Sequence, residues 1–342
     1  MEFSPVPGAR IVALGHYLPA TVLPTEVAAE RLAVDAEWIV ARTGIRERRL
    51  ADPDETVADM ATSAAREALA KLSADPHHAR RAGEIDTVIV ATSSAESTMP
   101  TTAARVAARL GLAHPAAFDL NNACAGFCHA LAVADALIRA GTSRGALVIG
   151  ADKASAWLDW EDRNTAILFA DGAGAAVVLP HERRDIGPVR WGSVGERADL
   201  IAIDPVTRVL RQDGRAVYRW ATGLGGTAQE ICDSVGIKPG DLAAFVPHQA
   251  NLRIVDALAR HLKLDGVPVA TDVVDTGNTM AATIPIALSR MTGSPETDVR
   301  GNVLLFGFGA GLAYAGQVVH LDLASESPAA PPGEVAAGGG AP

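Results

Sequence analysis

Short apolar runs alternate with helical patterns along nearly the whole chain, and the order of that alternation recurs loosely in the second half. Runs that are apolar throughout, bounded by turn residues and separated by helices, mark strands of a sheet covered on both faces. In the first half they fall at 11–14, 87–91 (TVIVA), 117–120, 146–149 (ALVI) and 173–179 (AGAAVVL), with helical patterns over 55–72, 102–110 and 125–140. In the second half a helical pattern over 217–235 precedes a strand at 243–246. Helices over 252–262 and 284–291 follow, then closing strands at 303–306 and 313–321. The expectation is an α/β protein made by internal duplication, with halves at 1–182 and 183–324. The remainder, 325–342 (SESPAAPPGEVAAGGGAP), has no apolar period and reads as a disordered tail.

A chain of 342 residues with 49% hydrophobic content can bury a core of that size, which excludes disorder for most of it. Few aromatics (4%) beside 32 glycines point to closely packed helices and strands. A net charge of −10 argues against nucleic acid as the main partner, although not against a local basic patch. Three cysteines, Cys124, Cys128 and Cys232, form no disulfide framework and suit a reducing compartment. The first residues lack a basic n-region, and nowhere do about eighteen apolar residues run uninterrupted. A cytoplasmic protein with neither signal peptide nor membrane span is expected. The polar stretch 74–84 holds His77-His78 and Arg80-Arg81. It reads as a solvated loop, because adjacent side chains diverge and no further metal ligands stand nearby.

Three places carry candidate chemistry. Cys124 sits in FDLNNACAGFCHAL, where an extended segment turns into a helix through small residues. Its sulfur would lie at a helix N-terminus, where unpaired N–H groups and the macrodipole favour a thiolate. Ala123, Ala125 and Gly126 leave room for a substrate, although a buried structural cysteine fits the same string equally well. Cys128 and Cys232 read as core. His248 follows a strand in FVPHQANLRI, beside Gln249 and Asn251. Functional groups in α/β sheets gather at the carboxyl ends of strands, and a polar cluster between apolar elements is costly unless satisfied or used. Function is therefore favoured over a satisfied core histidine. Asn278, in DTGNTMAATIPIAL, follows Gly277 and presents its amide before a helix, a setting in which a local cap is commoner. Two glycine clusters, 171–176 and 307–311, run into strand-like sequence instead of a helix, so they read as tight turns and not as a dinucleotide site. Exposed N–H groups in such a turn, beside a thiol, would suit an oxyanion hole.

The strings ARTGIRERRLADPDETVADMA, ACAGF, LFADGAGAAVV, VPHQANLRI, DTGNT and GFGAGLAYAG occur in one order. Over roughly residues 9–323 the chain resembles the β-ketoacyl-acyl carrier protein synthase III family, the initiating condensing enzymes of fatty acid synthesis. The resemblance implies a thiolase-like fold, with two βαβαβαββ halves stacked as a five-layer αβαβα sandwich, usually as a homodimer. It implies an acyl-Cys intermediate on Cys124, with His248 and Asn278 donating hydrogen bonds to the oxygen of a malonyl thioester. The N–H groups of Cys124 and of Ala310, in the turn 309–311, would meet the oxyanion. The implied reaction is a decarboxylative Claisen condensation of an acyl-CoA primer with malonyl-acyl carrier protein, with no metal or redox cofactor.

By the same resemblance, Trp38 and Arg163 would flank the adenine of coenzyme A, Arg42 would lie near its phosphates and Asn251 would line the site. Arg253, beside Arg42, Arg46, Arg48 and Arg49, would receive the acidic carrier protein. Four features depart from the family pattern: Asn121-Asn122 before the Ala-Cys pair, Met280 in place of a serine, Ala170 in place of a glycine, and a shorter segment at 195–214. They leave the primer open, including an unusual acyl unit that starts a polyketide chain. An acyltransferase of the same fold, passing the acyl group to an alcohol or amine, is the alternative. The order of the strings argues against a Cys-His-Asn hydrolase, and retention of all three residues argues against a non-catalytic scaffold.

Overall fold

A buried strand, β1 (Gly8–Tyr17), opens the computed structural model, which describes residues 6–297 and 299–323. The tail expected at 325–342 lies outside the described residues. A ribbon of β2 (Thr21–Pro24) and β3 (Glu47–Leu50) brackets α1 (Thr25–Arg31) and α2 (Ala36–Thr43) in sequence. Then come α3 (Val57–Ala74), β4 (Thr87–Ala91), α4 (Thr102–Arg109), β5 (Ala116–Leu120), α5 (Gly126–Arg139), β6 (Ala146–Lys153) and β7 (Asp171–His181). The second half opens with β8 (Arg190–Ser193), a ribbon of β9 (Ile201–Ile203) and β10 (Leu210–Gln212), α6 (Gly214–Thr222) and α7 (Gly225–Asp233). It closes with β11 (Ala244–Pro247), α8 (Leu252–Leu262), α9 (Val273–Thr276), α10 (Thr283–Gly293), β12 (Gly301–Gly309) and β13 (Ala313–Leu321).

The first sheet has the order β1-β7-β6-β4-β5, and the second β11-β12-β13-β8. In the first, β4 runs parallel to β5 and β6, while β7 is antiparallel to β6 and β1. In the second, β11 is parallel to β12, and β13 is antiparallel to β12 and β8. A parallel bridge from Phe245 to Val269 supplies the place beside β11. Counting Val269 as a third segment, both sheets read third-second-fourth-fifth-first across their width.

Five layers result. Helices α5 and α10 touch both sheets and form the middle layer; α3 and α4 cover the outer face of the first sheet, and α7 and α8 lie outside the second. Burial on two sides explains why α5 (GFCHALAVADALIR) lacks a broad polar face. Helix α3 starts on a capping box, Thr56 accepting from Asp59 N–H while the Asp59 carboxylate accepts from Thr56 N–H. Among the described residues no helix is long and apolar enough to cross a membrane.

Several expectations need correction. The helix expected over 217–235 is two, α6 and α7, because α7 must approach α8 closely: a Cβ on Gly225 would stand 2.3 Å from the His261 ring. The glycines of 171–176 lie inside β7 and not in a turn; a Cβ on Gly174 would stand 2.6 Å from Ile286 N of α10, so the glycine serves helix–sheet contact. Likewise 307–309 belong to β12, and only 310–312 form a 3-10 turn, with Gly311 at φ 123°. The loop over 74–84 contains a 3-10 turn, Ala79–Glu84, preceded by a His78–Asp75 contact of 2.8 Å.

Candidate active site

Three turns bring the candidate residues together. After β5 the chain makes a 3-10 turn, Ala123–Ala125, before α5, and this turn carries Cys124. Ala123 has φ 45° in the left-handed region, and Asn121 Oδ1 accepts from Ala123 N–H (3.3 Å) and Ser93 Oγ (2.7 Å). His248 follows β11, its N–H donating to Phe306 O at 2.8 Å. Gln249 is fully buried and closes that turn, donating to Pro247 O and Ala270 O and accepting from Val273 N–H, so it is structural. Asn278 lies between α9 and α10 after Gly277, whose φ of 71° favours glycine. Its N–H donates to Leu168 O and its C=O accepts from Ala170 N–H, both at 2.9 Å, which joins it to the segment leading into β7.

Hydrogen bonds fix what each side chain can offer. Asn278 Oδ1 accepts from Met280 N–H at 2.9 Å, so the NH₂ is the group left to donate to a ligand. His248 Nδ1 stands 2.7 Å from Thr283 Oγ1, and that hydroxyl also reaches Met280 O at 3.0 Å. Whichever acceptor the hydroxyl chooses sets the tautomer, and with it whether Nε2 is a base or a donor. The imidazole meets Phe308 edge-on at 5.3 Å, and burial pushes its pKa down to about 3, so it is neutral near neutrality.

Cys124 corrects one expectation. It stands at the start of the helical segment as expected, but burial, with the charge of Asp152 behind it, pushes the thiol well above its usual range. Desolvation outweighs the backbone N–H groups there. Asp152 itself, at the end of β6, is fully buried: Oδ1 accepts from Ser93 N–H, Ser94 N–H, Ser94 Oγ and Thr92 Oγ1, and Oδ2 accepts from Ala281 N–H at 3.0 Å. It ties the first half to the turn that follows Asn278, and burial lifts its carboxyl to about 6.

Cys124, His248 and Asn278 line one cavity of about 650 Å³, together with Trp38, Arg42, Arg163, Asn251, Arg253 and Ala310. Beside the sulfur the wall is apolar, with Phe169, Leu210 and Met280 packed in one cluster with Cys124. The end of β12 packs closely on Cys124: a Cβ on Gly309 would stand 3.1 Å from its Sγ. At the rim Arg42 lies 4.5 Å over the Trp38 ring and Arg253 lies 5.1 Å over Tyr218. Asn251 accepts from Arg253 N–H and donates to Arg42 O, so it caps α8 and links it to α2. Arg48 departs from the expected docking group. It is fully buried, donates to Thr25 Oγ1 and Ile167 O, and packs against Gly277, so no partner can reach it. Its burial lowers the guanidinium to about 10.

Comparison with known proteins places the chain in a family. The model of the 3-oxoacyl-[acyl-carrier-protein (ACP)] synthase III family matches residues 118–195, and that of its C-terminal part matches 232–321. β-Ketoacyl-[acyl-carrier-protein] synthase III 4 of Streptomyces coelicolor is 51% identical over 316 residues, spanning 91% of this chain and 98% of its own. Among solved structures, the priming β-ketosynthase of the R1128 polyketide biosynthetic pathway gives a TM-score of 0.88 at 39% identity, over 94% of this chain and 98% of that one. The 3-oxoacyl-(acyl carrier protein) synthase III of Pseudomonas aeruginosa gives 0.84 at 38%, over 92% and 98%. The five-layer αβαβα architecture is the thiolase-like one of these neighbours. On sequence, fold and the residues gathered in its cavity, the chain belongs to the β-ketoacyl-acyl carrier protein synthase III family.

Proposed function

We propose that the protein joins an acyl-CoA primer to malonyl-acyl carrier protein by decarboxylative Claisen condensation, initiating fatty acid or polyketide chains. One observation carries this reading: Cys124 from the first half, and His248 and Asn278 from the second, line a single cavity. Cys124 Sγ attacks the acyl-CoA thioester and CoA leaves, with neutral His248 taking the thiol proton through Nε2 and returning it to the leaving thiolate. Splitting one transfer into two makes each easier. The N–H groups of Cys124 and Ala310 hold the oxyanion.

In the second half-reaction the malonyl thioester loses CO₂, and its oxygen takes the charge. With its proton moved from Nδ1 to Nε2, and the Thr283 hydroxyl turned to donate to Nδ1, His248 donates to that oxygen together with the Asn278 NH₂, each donor worth about 10²–10³ in rate. The carbanion attacks acyl-Cys124, the C–S bond breaks, β-ketoacyl-acyl carrier protein departs and the released Cys124 thiolate takes a proton from solvent. The scheme uses no metal or redox cofactor. Trp38 and Arg163 hold the adenine of CoA, Arg42 its phosphates, and Arg253 receives the carrier protein. The apolar wall of Phe169, Leu210 and Met280 suits an uncharged acyl group. A cytoplasmic homodimer is the working assembly.

The test is intact-mass analysis after exposure to a panel of acyl-CoAs, followed by ¹⁴CO₂ release from malonyl-acyl carrier protein. One acyl group on Cys124, absent in Cys124→Ala, is expected. Asn278→Ala should still load within about tenfold of wild type but lose about 10²–10³ in CO₂ release. Protein that loads acyl groups yet releases no CO₂ would instead be an acyltransferase.

A further inference from the structure

The Asn121-Asn122 pair before the nucleophile has no part in the scheme above, yet its second member makes an unusual connection. Asn122 Nδ2 stands 2.9 Å from His129 Nε2 and 3.3 Å from Nδ1, one turn into α5. The other ring nitrogen, Nδ1, stands 2.9 Å from Ala125 O. A carbonyl only accepts and an amide NH₂ only donates, so one state satisfies the two shorter contacts: neutral His129 with its proton on Nδ1, donating to Ala125 O and accepting from Asn122 at Nε2. Partial burial of the ring favours that uncharged form. The ring is held from outside by Trp191 of β8, stacked at 5.4 Å and 12°.

His129 therefore touches the residue two before Cys124 and the residue one after it. Ala125 N–H donates in turn to Asn122 O at 3.2 Å, closing the bracket. The enclosed turn needs such support, since Ala123 is held in the left-handed region that L side chains avoid. Little slack exists on the far side, where Gly309 meets the sulfur. We propose that Asn122 and His129 are positioning residues that bracket the nucleophile turn and set where Cys124 Sγ stands in the cavity. The proposal rests on the condensing reading for its reaction, but it concerns the loading of the sulfur and not the decarboxylation.

The test compares Asn122→Ala, His129→Phe and the double variant with wild type, using acetyl-, isobutyryl- and hexanoyl-CoA. His129→Phe keeps a ring against Trp191 and removes both hydrogen bonds. Acyl-Cys124 formation at saturating acyl-CoA should fall about 10- to 100-fold in each single variant, the scale expected for an ångström of misplacement. The KM for acyl-CoA should hold within about twofold, and the double variant should be no worse than the poorer single, because both lose one shared contact. CO₂ release from malonyl-acyl carrier protein, which uses His248 and Asn278, should hold within about twofold, whereas a variant that merely unfolds loses both activities. His129→Gln, which can both accept from Asn122 and donate to Ala125 O, should recover part of the loading rate. Loading within about twofold of wild type in both singles, additive losses in the double, or a parallel fall in CO₂ release would overturn the proposal. If wild type loads none of the three CoAs, its primer is another acyl unit or the condensing reading fails, and iodoacetamide alkylation of Cys124 still decides this proposal. Rates changed at least about fivefold in both singles support it, and unchanged rates reject it.

Discussion

In the proposed reaction, burial of His248 should make the acyl-loading step insensitive to acid over a range where an ordinary imidazole would fail. Burial holds its pKa near 3 against the usual 6.5, so the base stays neutral well below neutral pH. The Cys124 thiol is displaced the other way, so neither group titrates between them. Acyl-Cys124 formation, followed by quenched mass spectrometry, should stay within about twofold from pH 8 to pH 5. A fall centred near 6.5 would show that His248 titrates as if exposed. The same shift has a stability sign: its contribution is full above 6.5 and is lost as pH falls toward 3, because the unfolded imidazole takes up the proton first. Of the three cavity residues, His248 was legible because it is polar and directly follows an apolar run, whereas Cys124 and Asn278 were singled out mainly by the resemblance of their strings. Their supports were not. Thr283 lies 35 positions from His248, Ala281 lies 129 from Asp152, and Ile167 lies 119 from Arg48. Nothing local to Arg48 separates it from exposed Arg46 or half-buried Arg49, and only the fold shows that it is enclosed.

The β7–α10 contact shows what the duplicated pattern conveys and what it hides. Runs such as TVIVA, ALVI and AGAAVVL are apolar because β4, β6 and β7 are covered on both faces, so sheet and middle helices were readable from periodicity. The β2–β3 ribbon was not, because TVLP and ERRL carry neither alternation nor an apolar run. The α6–α7 break and the glycines of β7 were misjudged for one reason: each answers a backbone or ring arriving from elsewhere in the fold. Gly174→Ala would place a methyl 2.6 Å from Ile286 N and 2.7 Å from Pro285 C, both main-chain atoms that cannot swing aside. Overpacking against rigid neighbours typically costs 1–3 kcal/mol, and here about 3 kcal/mol is expected in urea unfolding. Gly240→Ala, with no heavy atom within 4 Å of the added methyl, should change stability by less than about 0.5 kcal/mol. Equal, small effects at both sites would mean that α10 yields to β7, and that the close approach is not needed.

The whole molecule is acidic, at −10, while the rim of its cavity is not. Arg42, Arg163, Arg215 and Arg253 all line the cavity, all are exposed, and none has a carboxylate within ion-pair distance among the described residues. Arginines left unpaired on an otherwise anionic surface form a local positive patch, and such patches mainly steer and orient a charged partner. Two anionic substrates meet this rim in the proposed reaction, a nucleotide thioester and a carrier protein, and they need not use the same arginine. Whereas Arg42 lies over Trp38 on α2, Arg253 sits on the first turn of α8 over Tyr218. Reversing its charge should therefore separate the two substrates. In Arg253→Glu the KM for malonyl-acyl carrier protein should rise about tenfold, equivalent to ~1.4 kcal/mol, while that for acyl-CoA holds within about twofold. For wild type the carrier-protein KM should also climb between about 50 and 300 mM salt, as exposed charges are screened, and the variant should respond less. Steady-state kinetics with each substrate varied in turn measure both effects. A carrier-protein KM indifferent to salt and to Arg253→Glu would place docking elsewhere, and an equal rise for both substrates would make Arg253 part of the nucleotide site instead.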